Sequence, residues 1–241
     1  DQFRLLAEEN RINIRLLPPA RGLVFDRNGR PLAENEQNYR VVMVKEDAGD
    51  VDEVLGRLTQ IVDISPENLE RALEEIKRLS PFVPVTIADR LSWEDVAKIN
   101  INAPALPGIS AEVGLSRSYP DGASIAHVVG YVGPVSDYDL SQGYLQDDTD
   151  PLLQIPKFQV GKTGVEAKME HTLRGSAGTK RIEVNALGRV MRELDRQEGI
   201  AGKDVQLTID TQLQAYVQAR LDGESAGAVV IDLENGDLRA I

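Results

Sequence analysis

Apolar residues recur every three or four positions at Val51, Val54, Leu55, Leu58, Ile61 and Val62. That period places them on one stripe and predicts an amphipathic helix. A second helix follows: Ser65 offers a hydroxyl cap, Pro66 suits the first turn, and Leu69, Ala72, Leu73, Ile76 and Leu79 keep the helical period. Ser80-Pro81 ends it. Val83, Val85 and Ile87 then alternate as a strand, and Ser92-Trp93-Glu94-Asp95 reads as the capped start of a third helix through Ile99. Residues 48–101 therefore predict a small helical lobe set into β structure. Trp93, near a helix start, reads as a packing residue.

The flanking segments carry a different pattern. Residues 1–17 mix Phe3, Leu5, Leu6, Ile12, Ile14, Leu16 and Leu17 with charges, which predicts a short helix passing into an extended arm before Pro18-Pro19. Leu23, Val24 and Phe25 suit a strand, Asn28-Gly29 a hairpin turn, and Tyr39 to Val44 a second strand. Val113, Leu115, Arg117 and Tyr119 alternate. Pro120-Asp121-Gly122 is a turn, and Ser124 to Val132 predicts a short helix or strand ending at Gly130-Tyr131. Residues 136–157 are polar and predict a surface loop. Gly164 to Leu173 has helical period. Thr179 to Asn185 and Arg189 to Leu194 predict paired strands. At Val205 to Asp210 a new unit begins. Asp210 caps a helix carrying Leu213, Tyr216, Val217 and Leu221; Ala226 to Leu233, Asn235-Gly236 and Leu238 to Ile241 then form a β run, a hairpin turn and a return strand.

Charge narrows the functions. The chain has 27 Lys and Arg against 39 Asp and Glu, a net of −12. A nucleic-acid partner is not expected, because phosphate neutralisation needs a basic face. The first thirty residues run the other way, with Arg4, Arg11, Arg15, Arg21, Arg27 and Arg30 outnumbering their acids. That suits a segment near anionic headgroups, and equally a solvated helix face. There is no cysteine, so thiol chemistry, Cys-based metal sites and disulfides drop out. No apolar run approaches the roughly 18–20 residues that span a bilayer. The chain starts at Asp1 and stops at Ile241 inside a predicted strand, which gives the expectation of a piece of something longer.

Few residues suggest chemistry. His127 and His171 lack the carboxylate spacing of a metal site. Asp137, Asp139, Asp147, Asp148 and Asp150 lack the Gly and Glu positions of a calcium loop and read as solvated. No cofactor or metal is expected.

Several stretches, in order, carry a resemblance. They are Arg21-Gly22…Asp26-Arg27-Asn28-Gly29…Leu32-Ala33; then Ser118-Tyr119-Pro120…Gly122…Ala126-His127-Val128-Val129-Gly130-Tyr131-Val132-Gly133; then Gly161-Lys162…Gly164-Val165-Glu166…Leu173…Gly175…Gly178. Val184-Asn185…Gly188-Arg189-Val190 follows, then Leu207-Thr208-Ile209-Asp210…Leu213-Gln214 with Gly227-Ala228-Val229-Val230…Asp232…Asn235-Gly236. Together they resemble the class B penicillin-binding proteins across nearly the whole chain. The third and fourth stretches look closest to the elongation-type member; the septal paralogue is also similar.

The resemblance implies an α+β chain. Residues 1–203 would be an elongated, β-rich, non-catalytic pedestal containing the helical lobe, and 204–241 the opening strand, helix and hairpin of a transpeptidase domain. It implies a missing N-terminal membrane helix, a place on the periplasmic face of the bacterial inner membrane, and peptidoglycan as the substrate of the missing domain. The implied partners are rod-complex proteins such as the scaffold protein MreC and the glycosyltransferase RodA, with the helical lobe as a plausible contact surface. The family's nucleophile lies in Ser-x-x-Lys, yet none of the serines here has Lys three residues on, and no Ser-x-Asn occurs. No catalytic residue is assigned. Lys162-Thr163-Gly164 spells the family's third catalytic motif, but it precedes the catalytic domain and reads as a turn entering a helix. Arg21, Asp26, Glu166 and Arg189 are charges embedded in glycine-bearing, partly apolar stretches. Buried, such charges must pair; they are candidates for an ion-pair network at the junction of pedestal and catalytic domain, or else are exposed.

Overall fold

The computed structural model describes residues 12–79, 81–155, 158–184 and 190–241. The order begins β1 (Ile12–Leu17), β2 (Val24–Phe25), β3 (Pro31–Met43), α1 (Lys45–Ala48), α2 (Val51–Ile61), α3 (Pro66–Arg78), β4 (Val85–Leu91), α4 (Trp93–Ile101) and β5 (Ile109–Ser118). It continues α5 (Gly122–Val129), β6 (Val132–Pro134), α6 (Asp137–Ser141), β7 (Gln159–Gly161), α7 (Gly164–Lys168), α8 (Glu170–Arg174), β8 (Gly178–Val184) and β9 (Val190–Gln197). Last come β10 (Val205–Gln206), α9 (Thr211–Leu221), β11 (Val230–Ile231) and β12 (Leu238–Ala240). The architecture is α+β. Contacts divide the chain into one unit of Glu36–Ser116 and another made of the described residues up to Asn35 with Arg117–Ile241.

The Glu36–Ser116 unit follows its periodicity closely. Asp50, Ser65 and Ser92 each accept a backbone N–H three residues on, and Ser92 with Asp95 completes a capping box. The caps fill donors that a helix start leaves unpaired. The stripe faces then bury Val54, Leu55 and Leu58 of α2, Ala72 and Ile76 of α3, and Ile99 of α4. They pack on Val41, Met43, Val85 and Ile87, where β3 and β4 run antiparallel with Met43 opposite Val85. Each Val, Leu, Ile or Met among them contributes about 1.5–3 kcal/mol on burial. Trp93 departs from expectation: it rests against Tyr39 with ring centroids 5.8 Å apart but stays 65% exposed. It is the first helical residue, and the buried residues of this helix, Val96 and Ile99, lie further along.

In the other unit, β1, β8 and β9 form an antiparallel sheet, with Leu17 opposite Gly178 and Thr179 opposite Gln197. The predicted strand pair is therefore present, and its second strand extends to Gln197. The connecting residues 185–189, and Arg189 with them, lie outside the described residues, as does the helix expected in the first eleven. The main core joins Val24, Leu32, Ala33, Ile125, Val129, Leu173 and Ile209. β2 lies between β3, antiparallel, and β10, parallel, with Val205 opposite Val24. The start of the chain and the segment after residue 203 thus share one sheet.

Three expectations need correction. Residues 136–157 are not a surface loop: Ser136 and Asp139 form a capping box that starts α6, a short 3-10 turn spans Pro151–Gln154, and Leu145, Leu152 and Leu153 are buried. Those leucines are few and separated by Asp147, Asp148, Asp150 and Pro151, so no continuous apolar stripe marks them in the sequence. The helix over Gly164–Leu173 is broken at Met169, which leaves helical geometry with φ −104° and ψ 17°. The run from Ala226 to Leu233 reduces to Val230–Ile231, the only part with a described ladder partner.

Candidate functional site

β7 ends at Gly161, and Lys162-Thr163 leads into α7. Two glycines make this approach possible. A Cβ on Gly161 would collide with the Glu166 carbonyl, and Gly164 takes φ +60° with the main chain of Val128 and Val129 too close for a side chain. The resulting tight turn drives Glu166, in the first turn of α7, into the interior, where it is fully buried.

Burying a carboxylate is tolerable only with cationic partners and filled lone pairs. Arg21 Nε donates to Glu166 Oε2 at 2.7 Å, and Arg117 Nε donates to Oε1 at 2.7 Å. Arg21 Nη2 also donates to the Glu166 carbonyl at 3.0 Å and to Glu170 Oε2 at 2.7 Å. Glu170, fully buried as well, accepts Gly161 N at 2.8 Å and Arg174 Nε at 2.9 Å. Arg174 Nη1 donates to Asp148 at 2.7 Å and to Asp150 at 3.2 Å. Asn35 ties two arginines, accepting from Arg117 Nη1 at 3.0 Å and donating to the Arg21 carbonyl at 2.6 Å. Three guanidinium groups and four carboxylates, drawn from four separate stretches of sequence, form one network.

The electrostatics follow from this packing. Burial alone would lower the Arg21 and Arg174 guanidiniums, but hydrogen bonds and charge from Glu170, with Glu166 or Asp148, outweigh it and raise both. Tyr119 is pushed up to about 12 by burial and then by the Glu166 charge. Its hydroxyl accepts Val132 N at 2.9 Å and approaches Glu166 Oε1 at 3.5 Å. Burial pushes Asp148 up, but the Asp150 N–H and Arg174 outweigh it and the net shift is downward.

Arg21 and Glu166, both singled out from sequence, are in direct contact. Asp26 is buried elsewhere: it accepts the Thr211 hydroxyl at 2.7 Å and the Asn28 and Arg30 N–H groups at 2.7 and 2.8 Å. It binds the 26–30 hairpin to the first turn of α9. Arg189 lies outside the described residues. Arg117, Glu170, Arg174 and Asp148 were missed. Glu170 and Arg174 stand four apart on α8, a spacing that invites an ion pair and was the one available signal. The acids read as solvated are partly inside the structure: Asp139 is 7% exposed and pairs with Lys162, while Asp148 and Asp150 hold Arg174. Lys162 is thus engaged by an ion pair within this unit. His171 lies 3.6 Å from Asp148, and His127 meets the Ile241 carbonyl at 3.0 Å.

Chemically the carboxylates of the network are all engaged, while Arg117 Nη2 and Arg174 Nη2 have no partner among the described residues. Each buried carboxylate is held by guanidinium groups, which leaves no free base or nucleophile there. No cluster able to hold a metal ion is found among the described residues. What the arrangement can do is lock distant stretches of chain into one body.

Comparison with known proteins gives matches over nearly the whole chain. The family model described as the penicillin-binding protein dimerisation domain matches residues 16–207. The peptidoglycan D,D-transpeptidase MrdA of Escherichia coli K12 is 33% identical over 239 residues, which is 99% of this chain and 37% of that protein. MrdA of Acinetobacter baumannii is 33% identical over 241 residues, 100% of this chain and 35% of that protein. Penicillin-binding protein 3 of Bacillus subtilis is 29% identical over 245 residues, covering 99% and 34%. Among solved structures, the complex between penicillin-binding protein 2 and MreC from Helicobacter pylori matches with a TM-score of 0.73 and 27% identity, over 94% of this chain and 41% of that one. The chain therefore spans about 37% of the length of the E. coli relative.

Proposed function

The chain belongs to the penicillin-binding protein dimerisation-domain family, and on that premise we propose that it is the non-catalytic pedestal of a peptidoglycan D,D-transpeptidase that works in cell-wall elongation. In this reading residues 1–203 carry and orient the enzyme, and 204–241 open its transpeptidase domain. The single observation that carries the reading is the buried charge network, whose carboxylates are all engaged. It binds residue 21 to residues 117, 148–150, 161 and 166–174 without offering a reactive group. That is the chemistry of a mount, where rigidity is needed and turnover is not.

The parent protein would sit on the periplasmic face of the bacterial inner membrane, anchored by a helix ahead of this chain. Peptidoglycan would reach it through the catalytic domain beyond. MreC is the first partner to test, since the Helicobacter pylori neighbour is a complex with MreC; RodA is the second. The helical lobe of residues 48–101 is the proposed contact surface.

Fluorescent penicillin tests the division of labour. It should acylate the full-length protein and leave the 241-residue chain unlabelled by intact mass. A covalent adduct on the short chain would overturn the reading. Depletion in a rod-shaped host separates elongation from septation: rounded cells support the proposal, whereas filaments would assign the chain to the septal paralogue.

A further inference from the structure

Near the last residues one contact stands apart from the charge network. Gln214, on α9, is 4% exposed. Its side-chain amide pairs with both main-chain groups of Ile241: Ile241 N donates to Oε1 at 2.8 Å, and Nε2 donates to the Ile241 carbonyl at 2.6 Å. This two-point contact copies the bonding of a neighbouring strand. β12 itself pairs with β11, with Ala240 opposite Val230.

The same carbonyl receives a second donor. His127 Nε2 lies 3.0 Å from it, and because a carbonyl only accepts, Nε2 must carry the proton. Both the neutral Nε2–H tautomer and the cation meet that need. Gln214 Nε2 also reaches the Ser124 carbonyl at 3.3 Å. Ser124 and His127 lie on α5, whose inner face buries Ile125 and Val129 in the same core as Val24 and Leu173. One face of α5 is therefore seated in the core, while its His127 touches Ile241 after β12 and its Ser124 carbonyl accepts from Gln214.

We propose that Gln214 is a positioning residue: with His127 it sets the main chain at Ile241, so that the seat of α5 in the core is passed to the strand entering the catalytic domain. This rests on the reading that a transpeptidase follows residue 241. A buried amide that loses its partners is strongly unfavourable, while an exposed hydrogen bond contributes less. The effect of Gln214 should accordingly exceed that of His127.

The test uses the full-length protein. Gln214→Glu keeps shape but turns an acidic oxygen toward the Ile241 carbonyl. His127→Phe keeps a ring without a donor, and His127→Gln restores an N–H. The readouts are the rate of acylation by fluorescent penicillin, deuterium exchange at the Ile241 amide, and melting temperature. Gln214→Glu should slow acylation about tenfold and speed exchange, matching the loss of a buried hydrogen-bond pair. His127→Phe should slow acylation about two- to threefold, and His127→Gln should restore it. If Gln214→Glu does not fold, the exposed His127 pair decides. Parental acylation and parental exchange in His127→Phe and in a folded Gln214→Glu would overturn the proposal. A parent that no penicillin acylates would instead overturn the functional reading, and exchange at Ile241 would still judge the latch.

Discussion

Glu166→Ala removes the acceptor shared by Arg21 and Arg117, whose side chains are only 11% and 3% exposed. Arg21 keeps Glu170, but among the described residues Arg117 keeps the amide oxygen of Asn35 alone. Arg117 Nη2 already lacks a partner among the described residues, so the truncation leaves a buried guanidinium with two donors unfilled there. Breaking one side of a buried pair costs about 3–5 kcal/mol. At about 2–4 °C per kcal/mol for a domain of this size, the melting temperature should fall by about 6–20 °C. Thermal unfolding followed by circular dichroism, beside penicillin acylation of the full-length protein, is the assay. Glu166→Gln should behave similarly, because its amide nitrogen must face one of the two guanidiniums. Exposed pairs contribute about 0–1 kcal/mol. A Glu166→Ala variant that melts within 2 °C of the parent, a bound set by about 1 kcal/mol, would show that the network is solvated.

Three further outcomes are expected. Lys162→Ala should lower stability through the lost Asp139 pair yet leave acylation of the full-length protein at its parental rate; a folded variant that no longer reacts with penicillin would make Lys162 catalytic after all. Gly161→Ala should destabilise as severely as Glu166→Ala, since its Cβ collides with the Glu166 main chain, and an unchanged urea midpoint would contradict the packing. Burial pushes the Asp26 carboxyl up, but the Thr211 hydroxyl and the Arg30 and Asn28 N–H groups outweigh it and hold it below the usual 3.8. Its stabilisation is therefore full above the unfolded value and is lost as pH falls through the lower folded value. Thr211→Val should move the onset of acid unfolding to higher pH in a titration from about pH 6 to 2; an unmoved onset would remove Asp26 from the acid response.

Sequence alone determined whatever depends on neighbours along the chain. The stripes of α2 and α3, the caps at Ser65 and Ser92, and the turn at Asn28-Gly29 all rest on local periodicity, local hydrogen bonds and local backbone freedom. Ordered motif stretches were enough for the family, and the missing Ser-x-x-Lys needs only a list of residues. Arg21 and Glu166 could be suspected of pairing, because charge in a glycine-rich apolar stretch has few other reasons to be there. Tertiary structure alone decided the partners. Nothing local tells Glu166 that it will meet Arg117, 49 residues away, or Arg21, 145 away. The acids at 148 and 150 look solvated in sequence because their counter-ion, Arg174, lies more than twenty residues on. A buried charge is stabilised by whatever the fold brings to within about 3 Å. That distance is set by the whole packing of the unit, and no reading along the chain contains it.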